Sequence, residues 1–295
     1  MKIAVTGGTG FIGSYVVKEL SGAGHTVKVL ARNPAKAPGL RALRKVSVVK
    51  AEMHDLKALA RHLAGQDALV HIALCWGNTA PLMMENETLA SVRLIDLAVQ
   101  KGVKQVIYTS STAAGGYSYL TITEDKFPLP EDFYGATKAS VEMFCLAWGV
   151  RCPEIRFNVI RPGYTFGDPC VEGGSTEGDR RFADICAKVK AGKPIKLRAG
   201  EGTQFVWAGD LAKLYLAVLE GKCRNQVYYG LGTRFITWEQ IARWAREIWH
   251  SRSVIKAVGR AGKPHLFSLR KIEKEFGLKF DGAVRMKEHI RTMLG

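Results

Sequence analysis

The chain has 295 residues, 47% of them hydrophobic and 24% charged: long enough to bury a full core, and too evenly balanced for a disordered or membrane-spanning polypeptide. A net charge of +16 favours anionic ligands, from a phosphorylated cofactor or nucleotide-linked substrate to nucleic acid, although a solvated basic face that only maintains solubility would account for it equally. The cysteines (Cys75, Cys145, Cys152, Cys170, Cys186, Cys223) are scattered without C-x-x-C or Cys/His spacing, which argues against a metal site and a disulfide framework. A strand-like start leaves no room for a signal peptide, and no apolar run nears the ~18 residues that span a bilayer, so a cytoplasmic protein without membrane contact is expected.

Lys2 to Val5 reads as a short strand, and Phe11, Tyr15, Val16, Leu20 and Ala23 recur afterwards at helical spacing. Between them lies Thr6-Gly7-Gly8-Thr9-Gly10-Phe11-Ile12-Gly13. A strand, a glycine-rich turn and a helix start form a phosphate-binding site: glycines let the backbone approach a pyrophosphate, whose charge sits on free N–H groups at the helix N-terminus. Gly8, Gly10 and Gly13 fit G-x-G-x-x-G, while Gly7, Gly10 and Gly13 fit the looser G-x-x-G-x-x-G.

Thr26 to Ala31 is a second strand. An NAD site carries an acidic residue just beyond it for the ribose 2′-hydroxyl. Here Arg32 takes that place, and no Asp or Glu occurs between Glu19 and Glu52. A guidinium group suits a 2′-phosphate, so the sequence predicts NADP over NAD; otherwise Arg32 merely faces solvent. Val46 to Val49 forms a third strand, leading to Ala51-Glu52-Met53 and a helix from about Asp55 to Leu63. Asp67 to Ala73 is the fourth, its His71 reading as a satisfied core histidine. A long helix follows from Met83 to Gln100, then a fifth strand from Gln105 to Thr109 that runs into Ser110-Ser111-Thr112. This alternation predicts an α/β protein with a Rossmann-type, doubly wound parallel sheet.

Tyr134-Gly135-Ala136-Thr137-Lys138 opens the next helix. Tyrosine and lysine at i, i+4 share one face, and a neighbouring ammonium favours phenolate, which suits the tyrosine to proton transfer. The glycine-rich turn, Ser110-Ser111, Tyr134-x-x-x-Lys138 and Arg161-Pro162-Gly163-Tyr164-Thr165-Phe166-Gly167 together resemble the extended short-chain dehydrogenase/reductases, more narrowly the NAD(P)-dependent epimerase/dehydratase group. The resemblance covers nearly the whole chain. It implies Tyr134 as general acid/base, Lys138 as the residue that tunes it and holds the nicotinamide ribose, and Ser111 as the group that bonds the substrate oxygen, with Thr109 as a neighbour. It places Pro162 and Gly163 against the nicotinamide, Ala73 along the cofactor, and Glu52-Met53 at the adenine, where the family usually has aspartate first. It also implies a homodimer built on the Met83–Gln100 and Tyr134 helices.

Thr176 to Gly192 reads as a helix and Ile195 to Leu197 as a strand, followed by Gly200-Glu201-Gly202-Thr203-Gln204-Phe205-Val206-Trp207-Ala208-Gly209-Asp210. In nucleotide-sugar members of the family this motif carries an arginine just after the glutamine for the substrate diphosphate. Phe205 stands there instead, leaving Arg180, Arg181 or Arg198 to compensate. Leu211–Leu219, Trp238–Trp249, Ser268–Phe276 and Gly282–Leu294 read as helices, Gln226–Tyr229 as a strand and Arg260–Pro264 as a basic turn. The segment from Ala242 to the end carries 13 Lys/Arg against 5 Asp/Glu. The expected organisation is a dinucleotide-binding domain over 1–163 and an interwoven substrate-binding lobe over 164–295.

These residues point to hydride transfer at a hydroxyl or carbonyl carbon of a small polar substrate, anionic or sugar-derived. Retained cofactor would instead give a nucleotide-sugar epimerase or dehydratase. A non-catalytic NADP-sensing or RNA-binding protein is the competing class, against which stand Ser111, Tyr134 and Lys138.

Overall fold

A computed structural model describes residues 1–176 and 178–293. The sheet strands are β1 (Lys2–Thr6), β2 (Thr26–Ala31), β3 (Val46–Lys50), β4 (Ala68–His71), β5 (Gln105–Thr109), β6 (Arg156–Pro162) and β7 (Gln226–Gly230). All are parallel, in the order β7-β6-β5-β4-β1-β2-β3. The order reverses between β1 and β4. There the carboxyl ends of neighbouring strands diverge and open a crevice, the place where ligands bind in doubly wound sheets.

Helices α1 (Phe11–Gly22) and α2 (Leu56–Leu63) follow β1 and β3, and α3 (Ala90–Gln100) precedes β5. Helix α4 (Phe133–Arg151) precedes β6, and α5 (Arg181–Lys190) and α6 (Ala208–Glu220) lie between β6 and β7. On one face Val16, Val17 and Leu20 of α1 pack with Leu211, Leu214, Tyr215 and Val218 of α6. On the other, Leu59, Leu63, Leu94, Ile95, Val141 and Cys145 bring α2, α3 and α4 together. A buried side chain of this size contributes about 1.5–3 kcal/mol, so both faces are firmly covered. A separate core beyond the sheet gathers Phe166, Phe182, Ile185, Phe205, Trp238, Ile241, Met286 and Ile290.

The boundaries depart from expectation where side chains intervene. Strand β4 stops at His71: Ile72 N–H is shared between Thr6 O at 3.2 Å and Thr6 Oγ1 at 3.3 Å, and Ala73 N–H turns to Thr6 Oγ1 at 3.3 Å. The helix expected over Met83–Gln100 is present and starts earlier, running without a break from Ala80 through a π-helical turn at Met84–Leu89 into α3. That expected over Thr176–Gly192 contracts to α5, where the Asp179 carboxylate accepts from Arg181 N–H at 2.8 Å and starts it. Gly192, at φ +67°, turns the chain just past its end. Glu177 and Leu294, the latter expected to end the last helix, lie outside the described residues; that helix runs Gly282–Thr292. No helix among the described residues is long and apolar enough to cross a membrane.

Candidate active site

The first β-to-α turn is built from contacts that only glycine allows. Gly7 has φ +71°, and a Cβ there would lie 2.5 Å from Ala73 N. A Cβ on Gly13 would lie 2.1 Å from Gly7 O, so α1 presses against the turn itself. Gly10 N–H closes the turn on Gly7 O at 2.9 Å. Gly10 then caps α1, so no cap side chain takes up the first-turn N–H groups. Gly8 and Thr9 complete the backbone, and Phe11 and Ile12 begin the helix. This cradle fits a pyrophosphate. Arg32 is exposed at the end of β2 and, among the described residues, forms no ion pair with a carboxylate. Its charge is felt at Cys75, partly offsetting the burial that pushes that thiol up. Glu52 is exposed past β3, while Met53 packs into the core behind it.

At the other end of the crevice, Asp132 caps α4 by accepting from Gly135 N–H at 2.6 Å. A Cβ on Gly135 would meet Ala113 O at 2.4 Å, so the helix carrying Tyr134 lies hard against the short helix Thr112–Gly115 that follows Ser111. Ser111 Oγ accepts from Ala113 N–H at 3.2 Å, an arrangement that leaves its hydroxyl proton to donate. Tyr134 is partly exposed, with the Trp76 ring 5.8 Å away at 35°. Ser110 Oγ is buried without a partner among the described residues, and Thr109 Oγ1 pairs with the Tyr215 hydroxyl at 2.8 Å. Pro162 ends β6. Gly163 N–H bonds Gly230 O at 3.2 Å, and a Cβ there would meet Leu231 Cδ2 at 2.0 Å.

Lys138 shares the Tyr134 face, with Nζ 5.9 Å from that ring's centroid, but its charge is committed elsewhere. Nζ donates to Glu87 Oε1 at 2.6 Å and to Thr109 O at 3.2 Å. Glu87 stands on the π-helical turn, and its other oxygen accepts from Cys75 N–H at 2.8 Å. Sequence reasoning missed Glu87 and Trp76. For Glu87 a signal existed: with Ser91, Ile95 and Ala98 it occupies the buried face of its helix, where a carboxylate requires a partner.

A second buried pair underlies the site. Arg161 grips Glu142 through Nε to Oε1 at 2.8 Å and Nη2 to Oε2 at 2.5 Å, and Nη1 donates to the Tyr229 hydroxyl at 3.0 Å. His71 is a core histidine, its Nδ1 2.7 Å from Thr6 Oγ1 and Nε2 2.9 Å from Ser91 Oγ. Burial, with a smaller push from Lys138, lowers its imidazole to about 3. The unfolded chain therefore binds a proton that the native state refuses between about pH 6.5 and 3. His71 contributes full stability above that window and loses it as pH falls through it. Urea unfolding of wild type and His71→Gln is expected to show the wild type losing more stability than the variant from pH 7 to 4; parallel curves would refute the assignment.

Beyond the sheet lies a cleft of about 220 Å³ whose wall includes Tyr117, Arg198, Glu201, Arg260, Lys263 and His265. Ser111, Tyr134 and Lys138 are not among the residues that line it. Arg198 lines it, whereas Arg181 is gripped by Glu201 at 2.6 Å and Arg180 is exposed near Asp184. Gln204 is buried, its side chain bonded to the backbone of Gly232 and Phe267. Phe205, at the position expected for an arginine, packs between Tyr164 and Trp238 in the core.

A family model described as NAD dependent epimerase/dehydratase family matches residues 3–229. The chain is 32% identical over 304 aligned positions to cinnamoyl-CoA reductase 1 of Oryza sativa subsp. japonica, covering 94% of this chain and 86% of that one. It is 28% identical over 243 positions to dTDP-4-dehydro-6-deoxy-D-allose reductase of a Streptomyces species, covering 74% and 72%. Among solved structures, UDP-glucuronic acid 4-epimerase from Bacillus cereus in complex with NAD superposes with a TM-score of 0.82 at 19% identity, covering 99% of this chain and 96% of that one. The dTDP-glucose 4,6-dehydratase DesIV from Streptomyces venezuelae, with NAD bound, gives 0.79 at 23% identity and the same coverage. At these identities the structural likeness establishes the fold.

Proposed function

This chain belongs to the NAD dependent epimerase/dehydratase family and is an NAD(P)-dependent enzyme of the short-chain dehydrogenase/reductase superfamily; on that premise we propose that it transfers hydride between an exchangeable nicotinamide dinucleotide, NADP over NAD, and a hydroxyl- or carbonyl-bearing carbon of a small polar substrate. The observation that carries the reading is convergence at the carboxyl ends of β1, β4 and β5. Ala73 touches the glycine turn, Trp76 adjoins Tyr134, and Lys138 bonds the last carbonyl of β5. Gly7, Gly8, Thr9, Gly10, Phe11, Ile12 and Gly13 would hold the pyrophosphate, Arg32 the 2′-phosphate, Glu52 and Met53 the adenine, and Ala73, Thr109, Pro162 and Gly163 the nicotinamide half.

Tyr134 moves a proton between its hydroxyl and the substrate oxygen, and Ser111 donates to the same oxygen. An alcohol carbon releases hydride only as its O–H proton leaves, so the proton carrier and the hydride acceptor must converge on one C–O unit. Lys138 keeps one N–H after bonding Glu87 and Thr109; that N–H serves the ribose, and the ammonium charge acts on the phenol. The reductases among the relatives favour net oxidoreduction. The basic cleft supports an anionic group on the substrate and keeps nucleotide-sugar epimerisation or dehydration as the second reading. Exposed Leu89, Met143, Phe144 and Val150, on the π-helical turn and α4, support a homodimer across that face.

NADPH and NADH titrations on wild type and Arg32→Asp test the cofactor assignment. A charge-assisted contact to phosphate contributes about 1.5–3 kcal/mol, so the variant is expected to bind NADPH roughly 10- to 100-fold more weakly with NADH little changed. Equal wild-type affinities would remove the 2′-phosphate role from Arg32.

A further inference from the structure

We propose that Glu87 is a positioning residue that keeps buried Lys138 charged and fixes which of its N–H groups faces the crevice. The inference rests on the assignment of Lys138 to the cofactor side of the site.

Both side chains are almost wholly buried, at 3% exposure for Lys138 and 1% for Glu87, and they meet at 2.6 Å. A buried ammonium without a counter-charge is strongly disfavoured, and burial then drives it to lose its proton. Among the described residues, the neighbours offer no other counter-charge. From β4, His71 is held uncharged by burial and by Lys138 itself. From β5, Tyr108 lies with its ring 5.1 Å from Nζ, its phenol pushed up by burial and by Glu87. From the β4 loop, the Cys75 thiol is pushed up by burial and Glu87. On α4, Cys145 is pushed up by burial, Glu142 is neutralised by Arg161, and Tyr134 is the phenol that Lys138 serves. Glu87 is thus the carboxylate committed to Lys138.

Geometry adds direction. Glu87 Oε1 and Thr109 O take two of the three ammonium protons from fixed positions, and the third is left for the crevice. Glu87 is itself fixed, since Oε2 is held by Cys75 N–H, and it sits on a π-helical turn, which re-aims side chains relative to regular helix. Residue 87 thereby joins the loop bearing Trp76 to the lysine beneath Tyr134.

The test uses the full-length protein with Glu87→Gln, Glu87→Asp, Lys138→Met and the Glu87→Gln/Lys138→Met double variant. In apo protein, Glu87→Gln should gain stability against urea, relative to wild type, as pH rises from 6 towards 10, because a native state that resists the lysine proton is relieved once that proton is lost. The double variant should lack this slope, and Glu87→Asp should follow wild type. With NADPH as probe, the Glu87→Gln dissociation constant should weaken by up to tenfold per pH unit above the new lysine midpoint, with wild type flatter. A Glu87→Gln stability profile parallel to wild type would overturn the proposal. If Glu87→Gln fails to fold, a folded double variant supports charge pairing, and an unfolded one overturns it in favour of simple packing. If wild type binds no nicotinamide dinucleotide, the function proposed above fails, while the apo profiles still decide the role of Glu87.

Discussion

Tyr134→Phe is expected to lower kcat by about 10²- to 10⁴-fold, the range for loss of a positioned general acid or base. Dissociation constants for NADPH should change less than about threefold, since the ring remains and only the hydroxyl oxygen is lost. Stability should hardly move. Tyr134 is partly exposed, and its helix is held by other groups: the Asp132 cap, the close seating of Gly135 on Ala113, and the buried Lys138. This split between rate and cofactor affinity separates a proton carrier from a packing residue. A variant that turns over at wild-type rate would remove Tyr134 from the mechanism. One that loses cofactor affinity in proportion to rate would make it a binding residue.

The second large effect concerns stability. Glu142→Gln leaves Arg161 with a buried guanidinium and no carboxylate, and removing one partner of such a pair costs about 3–5 kcal/mol. The bidentate geometry and the third bond to Tyr229 place this pair at the upper end of what an ion pair contributes. Arg161 also leads directly into Pro162 and Gly163, so losing its anchor loosens the segment assigned to the nicotinamide. Urea unfolding at neutral pH should show the full loss in Glu142→Gln, and recovery of much of it in a Glu142→Leu/Arg161→Met double variant that buries no charge. A Glu142→Gln loss under about 1 kcal/mol would show that the pair is dispensable.

Much of this was legible from residue order. The glycine spacing announces the turn because Gly7 and Gly13 stand where the backbone of Ala73 and of Gly7 itself excludes any Cβ. The sheet was legible because apolar runs alternate with helical periodicity, and His71 because a polar residue inside such a run must find internal partners. What the sequence hid is long-range pairing. Lys138 and Glu87 are 51 residues apart, and Arg161 and Glu142 are 19 apart. Their meeting depends on how α3 and α4 lie across the sheet, which no local spacing encodes. The basic residues after Gly163 were visible but could not be sorted. The fold separates Arg198, in the cleft wall, from Arg181, gripped by Glu201, and buries Phe205 where an arginine was sought.

Net oxidoreduction requires a nicotinamide dinucleotide that comes and goes with each turnover. The most direct test is the cofactor content of the protein as purified, followed by displacement with NADPH and NADH. The predicted result is little or no tightly held dinucleotide, free exchange, and a clear preference for NADPH that Arg32→Asp abolishes. Stoichiometric NAD(H) that survives purification and resists exchange would contradict it, and would make epimerisation or dehydration the reaction of this site.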